Sequence, residues 1–174
     1  MAIRAVIFDV GGVLVHETED APSHRAWEQR LGLERGTLGD AVFDTPVGAR
    51  SMIGQATSSD VWHEVAGRYG LSPEERDELA DTFFEDSVWN LELIEYARSL
   101  KPRFKTGIIS DAWLETRLAI QEYVNEDAFD VIVYSAEEGI CKPDPEIYRR
   151  ALARLGVAAH EATFVDDRLK NVEG

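Results

Sequence analysis

The chain has a single cysteine, Cys141, in 174 residues. That excludes an internal disulfide and suits a reducing compartment, so the expected location is the cytoplasm. No apolar run approaches the roughly 20 residues that a membrane-spanning helix needs. The opening "MAIRAVIFDV" has one arginine before a short apolar run, which Asp9 interrupts, and it lacks a small-residue cleavage site. It does not read as a signal peptide. Positive charge is scarce: 18 Lys and Arg stand against 33 Asp and Glu, a formal charge of -15. That argues against nucleic acid or an anionic membrane as partner. Such a chain acts on an anionic substrate only where a metal or a local cation reverses the field. Linkers rich in Pro, Gly and Ser, low-complexity tracts and internal repeats are missing as well. What is present, 44% hydrophobic and 29% charged residues, is the balance of a soluble globular chain. The length allows one core with a small insert.

The stretch "VIFDVGGVLVHE", Val6 to Glu17, carries the first sign of chemistry. Residues 4–8 are predicted as a strand, its apolar run suited to a parallel sheet covered on both faces. The run stops on Asp9, and a carboxylate at the end of a buried run is costly without compensation. From about residue 20 to 88 the pattern turns helical. "SSDVWHEVAGRYG" stops on Gly70, and "SPEERDELADTFFED" opens with a Ser72/Glu75 capping box around Pro73. Strands and helices then alternate: "NLELIEYARSL" as helix, "FKTGIIS" as strand, "AWLETRLAIQEY" as helix, "FDVIVYS" as strand, "DPEIYRRALARLG" as helix and "ATFVDD" as strand. Short links between them indicate right-handed crossovers and a parallel sheet. The predicted architecture is α/β, with residues 1–16 and 89–174 forming the core and 17–88 an inserted all-helical cap. Trp27, Trp62, Trp89 and Trp113 fall in helical patterns and are expected to pack rather than to bind.

Open parallel sheets bind ligands beyond the carboxyl ends of their strands. Those ends carry Asp9, then Ser110 with Asp111, then Asp166 with Asp167, while the segment after "FDVIVYS" supplies Lys142. One carboxylate from the first strand and a pair from the last suit a hard divalent cation such as Mg2+. Lys142 and the Ser110 hydroxyl can hold an anion beside it. A nucleophile, charge neutralisation and oriented donors are what phosphoryl transfer requires.

In this order the residues resemble the haloacid dehalogenase-like hydrolase superfamily, in the subgroup with a helical cap after the first strand. Four motifs carry the resemblance: "VIFDVGGVL", "TGIISD", "GICKPDPEIY" and "TFVDDRLKNVEG". A receiver domain also uses an aspartate, Mg2+, a hydroxyl and a lysine, but its acidic pair comes first, and here the pair comes last. The resemblance implies a Rossmann-like core and a Mg2+-dependent phosphatase acting on a small phosphorylated metabolite. By position, Asp9 is the nucleophile that becomes an aspartyl phosphate. The Gly11 carbonyl and Asp167 are ligands to Mg2+, with Asp166 beside them directly or through water. Ser110 and Lys142 contact the phosphoryl group, and Gly12 allows backbone to approach it. Asp111 is grouped with the substrate-binding residues. In the cap, "TPVGARSMIGQ" is the candidate substrate-facing loop, with Arg50 as its anion contact.

Three departures stand out. Gly11 occupies the position where most phosphatases of the superfamily carry a second aspartate as general acid and base. His16 or Glu17, on the way to the cap, is the candidate substitute. Asp111 replaces a common asparagine, an extra negative charge unwelcome near phosphate unless it points at amide groups. The chain also stops at Gly174, where relatives usually continue, which suggests truncation or a minimal member. The rival readings are a metal-independent haloacid dehalogenase and a non-catalytic binding or regulatory protein. Oligomeric state is left open.

Overall fold

The computed structural model describes residues 2–124 and 128–173. The chain opens with β1 (Ala5–Phe8) and β2 (Val15–Glu17). It then runs through α1 (Pro22–Leu31), α2 (Leu38–Phe43), α3 (Pro46–Ser51), α4 (Ser58–Tyr69) and α5 (Pro73–Thr82), and returns as β3 (Ser87–Trp89). From there α6 (Leu91–Leu100), β4 (Lys105–Ser110), α7 (Thr116–Tyr123), β5 (Val131–Tyr134) and the short α8 (Ser135–Glu138) follow. The last elements are α9 (Pro145–Leu155), β6 (Ala162–Val165) and α10 (Leu169–Val172). Four strands form a parallel sheet in the order β5-β4-β1-β6. The α/β class and the Rossmann-like parallel core stand as expected from the alternating pattern.

The central strands β1 and β4 are buried on both faces, and their two-residue period sorts side chains between two cores. Phe8 and Ile108 pack on one face with Ile94, Ile120 and Phe129, the Phe8 and Phe129 rings meeting edge to face at 6.1 Å. Ile7 and Ile109 pack on the other with Val133, Ile147 and Leu155. Each such residue taken fully from water contributes about 1.5–3 kcal/mol. Register follows: Phe8 lies between Ile108 of β4 and Val165 of β6. Asp9, Ser110 and Asp166 therefore emerge together at one edge.

Helices α1–α5 have their own apolar cluster, built on Trp27, Leu38, Val61, Trp62, Leu79 and Phe83. Their ends follow local chemistry. Ser72 and Glu75 make the expected capping box at α5, Thr57 and Asp60 make another at α4, and Gly70 closes α4 at φ 68°.

The structure corrects several expectations. β2 and β3 pair antiparallel, Val15 opposite Trp89 and Glu17 opposite Ser87, and so tie the two ends of the helical segment together. Three-residue strands are too short for a visible alternation, and the expected limits of the helical cap fall within this pair. Trp89 is thus on a strand. Trp113 lies on the loop after β4, and α7 begins only at Thr116. Trp113 joins the aromatic cluster of the helical segment, stacking edge-on to Trp62 at 5.6 Å. "TPVGARSMIGQ" is not an open loop: Thr45 caps α3 by accepting the Gly48 amide hydrogen. Among the described residues no helix is long and apolar enough to cross a membrane.

Candidate active site

Asp9 is the first residue past β1 and is buried with 6% of its surface exposed. Its amide donates to the Val165 carbonyl at 2.8 Å, which fixes it against the end of β6. One carboxylate oxygen, Oδ1, is held by the Lys142 ammonium at 2.7 Å and by the Val10 amide at 2.7 Å. The other, Oδ2, accepts no hydrogen bond from a described residue. Burial raises the Asp9 pKa from 3.8 to about 6, against the pull of Lys142.

Lys142 is buried and lies between two carboxylates, its Nζ also 2.7 Å from Asp166 Oδ2. Burial works to raise Asp166, but Lys142, the Arg168 amide and Asn171 outweigh it and hold its pKa below the ordinary value. Both Asp166 oxygens are committed: Oδ1 accepts from Arg168 N at 2.8 Å, and Asn171 Nδ2 lies 3.0 Å from each oxygen. Asp167 is the opposite case. It is exposed and accepts no hydrogen bond among the described residues. Asp9, Asp166 and Asp167 each offer an oxygen, all within 4.8 Å of one another.

The loop after β1 is tight: Leu14 N and Val15 N both donate to the Val10 carbonyl, and Gly12 N donates to Val15 O at 2.8 Å. Gly12 adopts φ +74°, and a Cβ there would lie 2.4 Å from the Asp167 carboxyl carbon. Only glycine lets the first and last strand ends approach so closely. The Gly12 amide is committed to Val15, and Gly12 lines the cleft without a side chain to fill it. Gly11 is free of such crowding, since a Cβ there would meet no heavy atom within 4 Å. Its carbonyl accepts no hydrogen bond among the described residues, which leaves it available to a cation.

Ser110 ends β4, is buried, and lines the same cleft as Asp9 with its hydroxyl unbonded to any described residue. Asp111 accepts the Lys142 amide hydrogen at 3.0 Å. Burial nevertheless raises its pKa, with Lys142 opposing. Asp111 lines the cleft, and through Oδ1 its carboxylate ties the lysine segment to the end of β4. The expectation for Arg50 is corrected. It is exposed, does not line the cleft, and donates to Gln55 O at 3.0 Å beside α3. Met52, from the same segment, does line it.

His16 and Glu17 line the cleft on β2, and Glu17 lies 3.2 Å from His24 Nδ1. Neither hydrogen-bonds Asp9. Asn171 escaped the sequence reading, though "DDRLKN" places an amide five residues after Asp166, where the chain turns into α10. The aromatic wall of the cleft escaped it as well.

The three carboxylates, the free Gly11 carbonyl and the gap at Gly12 fit a hard divalent cation. Asp167 offers an unbonded exposed carboxylate, Asp9 lies within reach of the same point, and oxygen-only donor sets suit Mg2+. Asp166, with both oxygens bonded, fits better as a neighbour acting through water than as a direct ligand.

The sequence model of the haloacid dehalogenase-like hydrolases matches residues 3–174. The chain belongs to that family. It is 31% identical over 188 residues to the bifunctional epoxide hydrolase 2 of Sus scrofa, a match covering 96% of this chain and 33% of that protein. The chain thus spans about a third of that relative's length. It is 28% identical over 179 residues to the sesquiterpene phosphatase astK of Aspergillus oryzae, covering 97% of this chain and 83% of that protein. Among solved structures, a HAD family enzyme of Bacteroides thetaiotaomicron in complex with magnesium and inorganic phosphate superposes with a TM-score of 0.78. That likeness covers 99% of this chain and 88% of that one at 16% identity, and it shows the fold.

Proposed function

We propose that this chain is a Mg2+-dependent phosphomonoesterase working through an aspartyl phosphate at Asp9. The observation that carries the reading is the convergence of Asp9, Lys142, Asp166 and Asp167 at one end of the sheet, with one Asp9 oxygen clamped and the other bare. Phosphatase relatives and a same-fold neighbour holding magnesium and phosphate support it.

In this reading Asp167 and the Gly11 carbonyl would hold the cation, with Asp9 contributing through its lysine-bound Oδ1, and the cation would offset charge on the phosphoryl oxygens. Asp9 Oδ2 attacks phosphorus, the bond from phosphorus to the ester oxygen breaks, and the phosphoryl group passes to Asp9. Ser110 Oγ donates to a phosphoryl oxygen, and Lys142 Nζ balances negative charge on Asp9 and on the transferring group. Water then attacks phosphorus and frees both phosphate and the Asp9 carboxylate. Gly11 supplies no proton to the departing alcohol, so the alcohol takes one from water. Turnover should favour substrates whose leaving group is stable as an anion. The segment 17–88 acts as a cap over the site and selects the alcohol.

The test is hydrolysis of p-nitrophenyl phosphate with Mg2+, with EDTA, and by Asp9→Asn. Release that needs Mg2+ and vanishes in Asp9→Asn is the expected result. No release from a folded protein that still binds Mg2+ would overturn the reading in favour of a regulatory relative. Turnover of a haloacid without metal would instead identify a dehalogenase.

A further inference from the structure

The site opens into a cleft of about 600 Å³, within the range that accommodates a drug-sized molecule. Its chemistry is uneven. Beyond the strand ends the wall is aromatic, with Phe43, Phe83, Phe84, Trp89, Trp113 and Tyr123 all lining it. Phe84 stands edge-on to Phe83 at 4.9 Å and faces Trp113 at 6.3 Å, and Trp89 stacks on Tyr123 at 4.6 Å. Phe84 remains 45% exposed and Tyr123 38% exposed, apolar surface that a bound molecule would cover. Such burial is favourable in proportion to the area removed from water.

Positive charge is confined to the strand ends. Among the described residues the lysine and arginine side chains lining the cleft are Lys142, already bound to two carboxylates, and Arg168, which directly follows Asp167; the imidazoles of His16 and His24 line it too. Along the aromatic wall the charged groups are instead Glu17 and Glu122. His24 is committed on both ring nitrogens, to the Phe83 carbonyl at 2.7 Å and to Glu17 at 3.2 Å. A second phosphate or a carboxylate on an alcohol seated along the aromatic wall would meet Glu17, Glu122 and aromatic rings in place of a lysine or arginine, and desolvating an unpaired charge is expensive.

Resting on the phosphatase reading, we infer that the cleft takes a phosphate monoester of an apolar, uncharged alcohol and discriminates against alcohols carrying a second anionic group. The strand ends take the phosphate, and the aromatic wall takes the hydrocarbon.

Alkylphosphonates test this without depending on the leaving group. As competitive inhibitors of p-nitrophenyl phosphate hydrolysis, methyl-, butyl-, hexyl- and octylphosphonate should show inhibition constants falling about two- to fourfold per added methylene. The similarly sized 3-phosphonopropionate, which carries a carboxylate, should bind at least about tenfold more weakly than butylphosphonate, a typical cost of an unpaired group. Phe84→Ser, at a half-exposed position, should flatten the chain-length trend. A flat series in the wild-type protein, or 3-phosphonopropionate as tight as butylphosphonate, would overturn the inference. Failure to hydrolyse p-nitrophenyl phosphate would overturn the phosphatase reading instead. In that case a saturable change in tryptophan emission on adding octylphosphonate reads the wall, where Trp89 and Trp113 stand: a change that weakens in Phe84→Ser supports it, and no change refutes it.

Discussion

The Lys142 ammonium lies 2.7 Å from Asp9 Oδ1, and the same nitrogen lies 2.7 Å from Asp166 Oδ2. One buried cation thus holds two strand ends together, β1 through Asp9 and β6 through Asp166. Removing it leaves two carboxylates facing each other in a poorly solvated site. Breaking a buried pair on one side typically costs about 3–5 kcal/mol. Lys142→Met should lower stability by an amount of that order in the metal-free protein, measured by urea unfolding at pH 7.5. Magnesium should restore part of the loss by supplying positive charge in place of the ammonium, while phosphatase activity stays abolished. A variant as stable as wild type would mean the lysine is no keystone.

Asp9 carries a stability cost of its own. Its pKa rises from 3.8 to about 6 on folding because burial disfavours the charged form. The folded state therefore holds the proton more tightly than the unfolded state. Stability falls as pH rises from about 4 to about 6, and above 6 the full cost of about 3 kcal/mol is in force, at about 1.4 kcal/mol per pKa unit. In EDTA, Asp9→Asn should unfold several degrees above wild type at pH 7.5, and the gap should close by pH 4. Thermal unfolding of both proteins across that range checks the sign. A variant less stable than wild type at every pH would mean the Asp9–Lys142 attraction exceeds the burial cost.

What the sequence showed and what it hid divide along the distance over which a signal acts. Asp9, Ser110 and the Asp166–Asp167 pair were legible because each ends an apolar run, and a parallel sheet gathers such ends by construction. The Ser72 and Gly70 boundaries were legible because capping is decided within four residues. β2 and β3 were not, since each is three residues long and exists only through pairing with a distant segment, as Val15 with Trp89 and His16 with Val88. Arg50 looked like an anion contact on charge alone, but the turn at Gln55 claims its guanidinium. The aromatic wall escaped for a related reason. Phe43, Phe84 and Trp113 carry no common spacing, and only the folding of α1–α5 onto the loop after β4 brings them to one surface.

Gly12 gives a sharp steric prediction. A methyl group there would fall 2.4 Å from the Asp167 carboxyl carbon in a backbone at φ +74°. Both the clash and the left-handed backbone penalise Gly12→Ala, the latter by about 1–2 kcal/mol. Since Asp167 is the group displaced, the variant should bind Mg2+ at least about tenfold more weakly, in line with the cost of disturbing a ligand's support. Isothermal titration with Mg2+ measures this. Unchanged affinity would show that Asp167 can move aside and still serve, or that it is not a ligand.

Gly11 behaves differently although it is the next residue along the chain. A Cβ there meets nothing within 4 Å, and its backbone is not left-handed, so the position accepts a side chain. It also lines the cleft together with Asp9, two residues earlier in the chain. A carboxylic acid introduced at this point can give a proton to a departing alcohol and later take one from water. Gly11→Asp should therefore fold with little loss of stability and gain activity selectively. For an alkyl phosphate, whose alkoxide leaves poorly, turnover should rise by about 10²-fold, the lower end of what a positioned acid and base contributes. For p-nitrophenyl phosphate, whose leaving group needs no proton, the gain should be no more than a few fold. Parallel kcat measurements on both substrates check the split. An equal gain on both would point to tighter metal binding by the new carboxylate, and a loss on both would mean that the added charge repels phosphate.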